Sequence, residues 1–350
     1  MKFQLLLVLI TVVTVLGGKL TPEEDEQRAK ICGRSLNPSS EKITERAPWI
    51  AQLRKYTVDD RFSTAILISP RHAIALSTEL IDYQWEQHTK KYNNNKWAYE
   101  YNFVNNEEEP YDARECKNNV IEFSKKHIFN LYIRLYCPGC NYFNEVFSNV
   151  TSVHFFGVCT PGKRPQFLAL LEMSTSSVDG DKHQMPSSPM PICLAQSDVK
   201  AGEAVEEHYT GKGRSGAYHL EPHIATLKES NSSKLVTVGC QNPSYEYMSV
   251  CVYSNCSFNK GGFVKKIDGK HTLLGMNSDP AGLPRTCDLP DNAVSVAFFK
   301  DKICEYSGVC KGAMEEPAKE ESTDNDASTA IPRSIIPILV ILISILIFRF

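Results

Sequence analysis

Twelve cysteines, spread from Cys32 to Cys310, constrain this chain more than any other feature. An even number of thiols fits an oxidising compartment and a disulfide framework rather than free thiols. The amino terminus agrees. Lys2 is followed by an apolar run from Phe3 to Leu16 and by Gly17-Gly18. A basic start, a short apolar core and small residues at its end form the pattern of a secretory signal peptide over residues 1–18, cleaved near Gly17 or Gly18. The short core disfavours a membrane-spanning signal anchor. The exported chain then begins in the acidic segment Thr21 to Glu26.

The carboxyl end carries a second signal. Residues 312–330 hold six acidic residues against Lys319, filled in with Ser, Thr, Pro and Ala, a composition that cannot bury a core and is expected to form a solvated stalk. Residues 331–350 are dominated by the apolar run Ser334 to Phe348. Fifteen residues at ~1.5 Å each span roughly 22 Å, short of the ~30 Å hydrocarbon core. The small residues Asn325 to Ala330 lie a short spacer before the run, which fits a glycolipid-anchor signal cut near Asn325 to Ser328. The competing reading is a short single-pass helix. Either places the protein at the cell surface, tethered to a membrane, with its ectodomain extracellular.

Between these signals the pattern is β-rich. Short apolar runs at Thr64–Ile68, Leu131–Tyr136, Val153–Gly157, Phe167–Met173, Leu235–Gly239, Phe263–Ile267 and Val294–Phe299 are separated by turn-formers such as Asp268-Gly269 and Asp279-Pro280. The length is ample for two small barrels. A net charge of −3 gives no basis for nucleic-acid binding, and no Gly-rich phosphate loop, zinc-type cluster or cofactor motif stands out.

Four segments in order carry a resemblance. Ala47-Pro48-Trp49 to Leu53 is similar to a Pro-Trp-x-x-x-Leu opening, and Ile68 to Ile74 to a Leu-Ile-Ser-Pro-x-x-Val-Leu strand. Phe167 to Met173 is similar to Asp-Ile-Ala-Leu-Leu-x-Leu, and Cys256-Ser-Phe-Asn-Lys-Gly-Gly-Phe263 to Cys-x-Gly-Asp-Ser-Gly-Gly-Pro. Gly269 to Gly275, Cys287 and Ala293 to Val296 continue the series. The chain therefore resembles the chymotrypsin/trypsin-like serine proteases over about residues 32 to 304. Its long cysteine-bearing insertion over residues 79–164 is similar to that of divergent nematode trypsin-like proteins. The implied fold is all-β, with two antiparallel six-stranded barrels over residues 47–311 and an N-terminal segment over 19–46.

The resemblance also locates a triad, and each position is chemically wrong. Thr78 stands at the histidine base, Phe167 at the orienting aspartate and Lys260 at the serine nucleophile. Glu79 and Ser63 replace the cysteine pair that clamps the base loop. Phe258 replaces the oxyanion-hole glycine, and Asn259 the aspartate that receives a new amino terminus on activation. Ser254 aligns with the base of the specificity pocket. The implied disulfides are Cys32–Cys193, which ties the N-terminal segment to the domain, Cys240–Cys251 and Cys256–Cys287, with Cys304–Cys310 closing the domain. Cys116, Cys137, Cys140 and Cys159 allow three connectivities.

Alternatives from other classes remain. Ser257 beside Lys260 is an imaginable Ser-Lys pair of a residual hydrolase, and Cys137-Pro-Gly-Cys140 matches a dithiol oxidoreductase. The flanks of the latter read as strand and turn rather than the helix N-terminus such a thiol needs. His72, six residues before Thr78, reads as a surface or packing histidine. The sequons at Asn149 and Asn231 fall where loops are expected, and the one at Asn255 beside the nucleophile loop. Trp85, Tyr92, Trp97, Tyr99 and Tyr101 in the insertion offer either an aromatic contact surface or ordinary packing. The function that follows is that of a non-catalytic protease homologue, acting extracellularly on a protein or peptide ligand.

Overall fold

In the computed structural model, the apolar runs read from the sequence become a closed antiparallel barrel and a second antiparallel sheet. The structure describes residues 18–55, 62–76, 81–82, 102–103, 117–118, 120–122, 128, 131–136, 146–157, 168–177, 190–197, 205–212, 220–226, 250–252, 261–278 and 291–312. The strands are β1 Ile50–Lys55, β2 Phe62–Ser69, β3 His72–Leu76, β4 Ile81–Asp82, β5 Asn102–Phe103, β6 Val120–Glu122, β7 Leu131–Leu135, β8 Val146–Phe156 and β9 Leu168–Ser177. They continue with β10 Cys193–Leu194, β11 Glu206–Lys212, β12 Leu220–Thr226, β13 Val250–Val252, β14 Gly262–Ile267, β15 Lys270–Ser278 and β16 Asp291–Ser295. Three helices accompany them: α1 Pro22–Ile31, α2 Ile43–Arg46 and α3 Lys300–Ser307.

The first barrel runs β8-β7-β1-β2-β3-β9 and closes where β9 pairs with β8, β6 adding to the outer edge of β8. Closure removes the unpaired sheet edge. Its register aligns small side chains with small and large with large. Ala51, Ala65, Ala75 and Ala169 lie side by side on four neighbouring strands, and Ile50, Ile66, Ile74 and Leu170 form the adjacent row. Successive residues of a strand point to opposite faces, so the two rows project to either side of the barrel wall. All eight are fully buried. A one-residue slip would exchange the rows, so register here is set by volume.

Ile68 to Ile74, expected as one strand, is a hairpin. Pro70 and Arg71 form the turn between β2 and β3, where a fixed φ and a missing donor suit proline. The second sheet has the order β12-β11-β14-β15-β16-β13, with β10 parallel to β15. Asp268 and Gly269, both at positive φ, make the tight turn that joins β14 to β15. Among the described residues β12 and β13 do not pair, so this half is seen as an open seven-stranded sheet. Val294 to Phe299, expected as a strand, is extended only to Ser295. The Ser295 hydroxyl accepts from the Phe298 N–H at 3.1 Å and turns the chain into α3.

The helices are absent from the sequence expectation, although α1 carries a local signature. Thr21 and Glu24 form a reciprocal capping box with Pro22 at the first helical position. Its carboxyl end is capped by Lys270, whose Nζ donates to the carbonyls of Ala29 and Lys30 at 3.2 and 3.0 Å. Asp25 is the centre of a clasp between the two ends of the domain. Its carboxylate accepts from Arg28 Nε at 2.7 Å and from the backbone N–H groups of Cys310 and Lys311 at 3.0 and 2.9 Å. Arg28 also donates to the Lys311 carbonyl. Cys32–Cys193 and Cys304–Cys310 are disulfides, with S–S distances of 2.02 and 1.94 Å. The first joins the loop after α1 to β10, and the second ties α3 to the clasped segment.

His72 is a packing residue, 1% exposed, with Nδ1 at 2.8 Å from the Ser69 hydroxyl and Nε2 without a partner among the described residues. Burial pushes its pKa from 6.5 down to about 3.

Two outcomes follow. Asp25→Asn leaves the buried Arg28 guanidinium without its counter-charge and is expected to lower stability by ~3–5 kcal/mol, read from the urea midpoint. The unfolded chain binds a proton at His72 before the folded one does. Stability from this group is therefore intact above pH 6.5 and lost as pH falls from 6.5 towards 3. His72→Gln is expected to flatten that part of a plot of Tm against pH, whatever its effect at neutral pH.

Candidate functional site

The three positions that matter most by sequence, Thr78, Phe167 and Lys260, lie outside the described residues, as do Phe258, Asn259, Ser254, Ser257 and Glu79. Their described neighbours are brought together. Leu76, which ends β3, is the register partner of Leu168, which begins β9. Gly261, which follows Lys260, accepts from the Asn277 N–H at 2.7 Å. Gly262 opposes His208 across β14 and β11. A Cβ on Gly262 would stand 2.6 Å from Leu273 Cδ1 and 3.2 Å from Ile66 Cγ1, and one on Gly261 would stand 2.6 Å from the His208 carbonyl. The glycine pair thus lets the start of β14 lie directly against β11 and the first barrel. Ile66 in turn pairs with Ile74 of β3. The described flanks of Thr78 and Phe167 thus lie side by side in the first barrel, and that of Lys260 packs on the same barrel at Ile66.

The joint between the two sheets has a polar centre. Trp49, fully buried just before β1, donates its indole N–H to His208 Nδ1 at 3.0 Å, with ring planes 8° apart. His208 is also fully buried, and its Nε2 lies 3.0 Å from Glu206 Oε2. Since Nδ1 accepts, Nε2 carries the proton and donates to the carboxylate, which fixes the neutral tautomer. His271 of β15 lies against the indole with centroids 4.9 Å apart, and its Nδ1 donates to the Gly33 carbonyl at 3.0 Å. One strand along, the Thr210 N–H donates to Thr64 Oγ1 at 3.0 Å. The first barrel, the second sheet and the N-terminal segment meet here.

The electrostatics follow from burial. Desolvation holds the pKa values of both His208 and His271 below the ordinary histidine range, against the pull of Glu206. The hydrogen bond from His208 holds the Glu206 carboxyl below its usual value. A carboxylate orienting an imidazole is half of a catalytic relay, but the other nitrogen of His208 is occupied by the indole and has no lone pair left for a substrate proton. A second Ser-His neighbourhood, on β8, is no better arranged. Ser152 donates to Glu172 Oε2 at 2.9 Å rather than to His154, whose Nε2 is 3.5 Å away.

Asn149, expected in a loop, is an exposed residue within β8, opposite Tyr132 of β7. Asn231 and Asn255 lie outside the described residues, as do Cys116, Cys137, Cys140, Cys159, Cys240, Cys256 and Cys287. Cys251 lies in β13. The aromatic residues Trp85, Tyr92, Trp97, Tyr99 and Tyr101 also fall outside them, as do residues 313–350. Among the described residues no helix is long and apolar enough to cross a membrane, and no group of three His, Cys, Asp or Glu side chains is placed to hold a metal. The joint itself was not foreseen. Trp49 and His208 are 159 residues apart, and no local pattern marks His208 as the acceptor of an indole proton.

A family model described as the nematode trypsin-6-like family matches residues 3–310. No curated protein shows significant similarity to the chain.

Gly261→Ala is expected to push β14 away from the His208 backbone and to cost ~1–3 kcal/mol by overpacking, measured as a lowered urea midpoint. Ala is tolerated at Gly269 sterically but not conformationally, so Gly269→Asn, which keeps a residue suited to positive φ, serves as the mild control.

Proposed function

The chain belongs to the nematode trypsin-6-like family, and from that premise we propose that it is a pseudoprotease, a trypsin-like protein that binds a protein or peptide ligand without cutting it. The observation that carries this reading is Lys260 at the nucleophile position, followed by the Gly261-Gly262 pair of the family pattern. An ammonium cannot repeat the attack of a serine hydroxyl activated by histidine, and Thr78 and Phe167 offer neither the base nor its orienting carboxylate. The barrel joint supports the same reading. The buried His208 imidazole, oriented by the half-exposed Glu206 carboxylate, is committed to holding Trp49, so it does not stand in for the missing relay. A barrel pair without turnover keeps a concave surface on which an extended peptide can be held.

The leader over residues 1–18 and the acidic stalk and apolar tail over 312–350 support display on the outer cell surface, with a glycolipid anchor favoured over a short single-pass helix. The cysteine content supports the same compartment.

The test uses protein released from expressing cells with a phosphatidylinositol-specific phospholipase C. Release itself is expected for a glycolipid anchor, and retention would indicate the helix. The released protein is assayed for peptide hydrolysis and fluorophosphonate labelling, beside Lys260→Ser and Thr78→His/Phe167→Asp/Lys260→Ser. Wild type is expected to show neither activity while retaining a specific extracellular partner in a pull-down. Hydrolysis by wild type that survives the loss of Lys260 would overturn the reading.

A further inference from the structure

His208 sits in a site with room for one proton. Its Nε2–H donates to Glu206 at 3.0 Å, and its Nδ1 lone pair accepts the Trp49 indole N–H at 3.0 Å. An indole N–H only donates, so it cannot reverse its role. A second proton on the imidazole has one place to go, Nδ1, where it would face the indole proton at hydrogen-bond distance. Two donors would then point at each other in a fully buried pocket, and the cost is that of an unsatisfied buried donor added to that of a buried charge.

We propose that the Trp49–His208 contact is an acid-sensitive joint, in which protonation of His208 breaks the indole bond and loosens the packing of β11 against the first barrel. The groups around it act on the same proton. Among the described residues Glu206, on the same strand, is the carboxylate that bonds the ring. Arg46 of α2 adds positive charge towards His208, and Lys266 of β14 adds it towards both Glu206 and His271. His271 of β15 faces the same indole, and its own Nδ1–H is committed to Gly33. Burial keeps both imidazoles neutral at physiological pH, so the joint is closed there and opens on acidification.

The loosening reaches the start of β14 through the register. His208 lies opposite Gly262, and the Cβ-free surface of Gly262 is what packs against Ile66. The neighbouring polar link, Thr64 to Thr210, joins the same two strands, β2 and β11. Separating β11 from the first barrel therefore moves the start of β14. The inference stands on this geometry and not on the binding role proposed above.

The test is made on a Trp85→Phe/Trp97→Phe variant, in which Trp49 is the only tryptophan. Trp49 emission and far-ultraviolet circular dichroism are followed from about pH 7.5 to about pH 4, across the range of histidine titration. A reversible change in emission is expected at a pH where the circular dichroism is still native. His208→Asn, whose amide oxygen accepts the indole proton without titrating, is expected to move that change by about one pH unit or more to lower pH, or to abolish it. An unchanged midpoint in His208→Asn, or emission that changes only with the circular dichroism, overturns the proposal. Should His208→Asn fail to fold, the His208 titration is followed by NMR in the parent and in Trp49→Phe. Removing the opposing donor is expected to raise the midpoint, and an unchanged midpoint overturns the proposal equally.

Discussion

Burying Trp49 requires an acceptor for its indole N–H, and much of the arrangement between the two sheets follows from how that requirement is met. The indole is too large to leave in solvent without losing ~2–3 kcal/mol of burial, yet its proton would be orphaned in an all-carbon core. His208 supplies the acceptor from the other sheet. To remain an acceptor the imidazole must stay neutral in one tautomer, which Glu206 enforces through the far nitrogen. The chain of dependence then passes outward. His271 packs on the same indole and ties the N-terminal loop at Gly33, and the start of β14 carries glycines because Gly261 lies against the backbone of His208 and Gly262 against Leu273 and Ile66.

A second dependence runs between the ends of the domain. Asp25 lies 285 residues from Cys310, yet its carboxylate bonds that residue's N–H. Three devices hold the N-terminal segment: the bonds of Asp25 and Arg28 to the backbone of Cys310 and Lys311, the Lys270 cap and the Cys32–Cys193 bridge. Each crosses to a different element, so the segment before Trp49 is part of the folded unit. It is built into the domain through α1, as a helix with its own caps, and not as a loose extension of the barrel. The barrel itself supplies the rigid base, because alternating rows of alanine and larger aliphatic side chains fix its register.

The functional reading joins these two observations with the residues at the triad positions. A trypsin-like scaffold whose polar centre holds its halves together commits the His208 imidazole to the indole of Trp49 and to Glu206. On the proposed reading the scaffold is retained for recognition. On the same reading neither His208 nor Glu206 takes part in catalysis. Their role is to position Trp49 and, through it, the approach of the second sheet.

Much of the fold was legible in the sequence because its cues are local. The Pro-Trp opening, the apolar runs at Thr64, Val153 and Phe263, the Asp-Gly turn and the Gly-Gly pair each lie within a few residues, and each became a strand, a turn or a close approach. The capping box at Thr21 to Glu24 was equally local, and α1 could have been read from it. What the linear chain did not hold was partnership. Nothing near Asp25 points to Cys310, and nothing near Trp49 points to His208, because the energy of a buried polar group depends on what folding brings to it from far away. The sequence by itself determined the trypsin-like barrel architecture and the identities of Thr78, Phe167 and Lys260. Only the tertiary structure decided which buried charges and imidazoles hold that architecture closed, since a donor and its acceptor acquire their interaction when both have left water together.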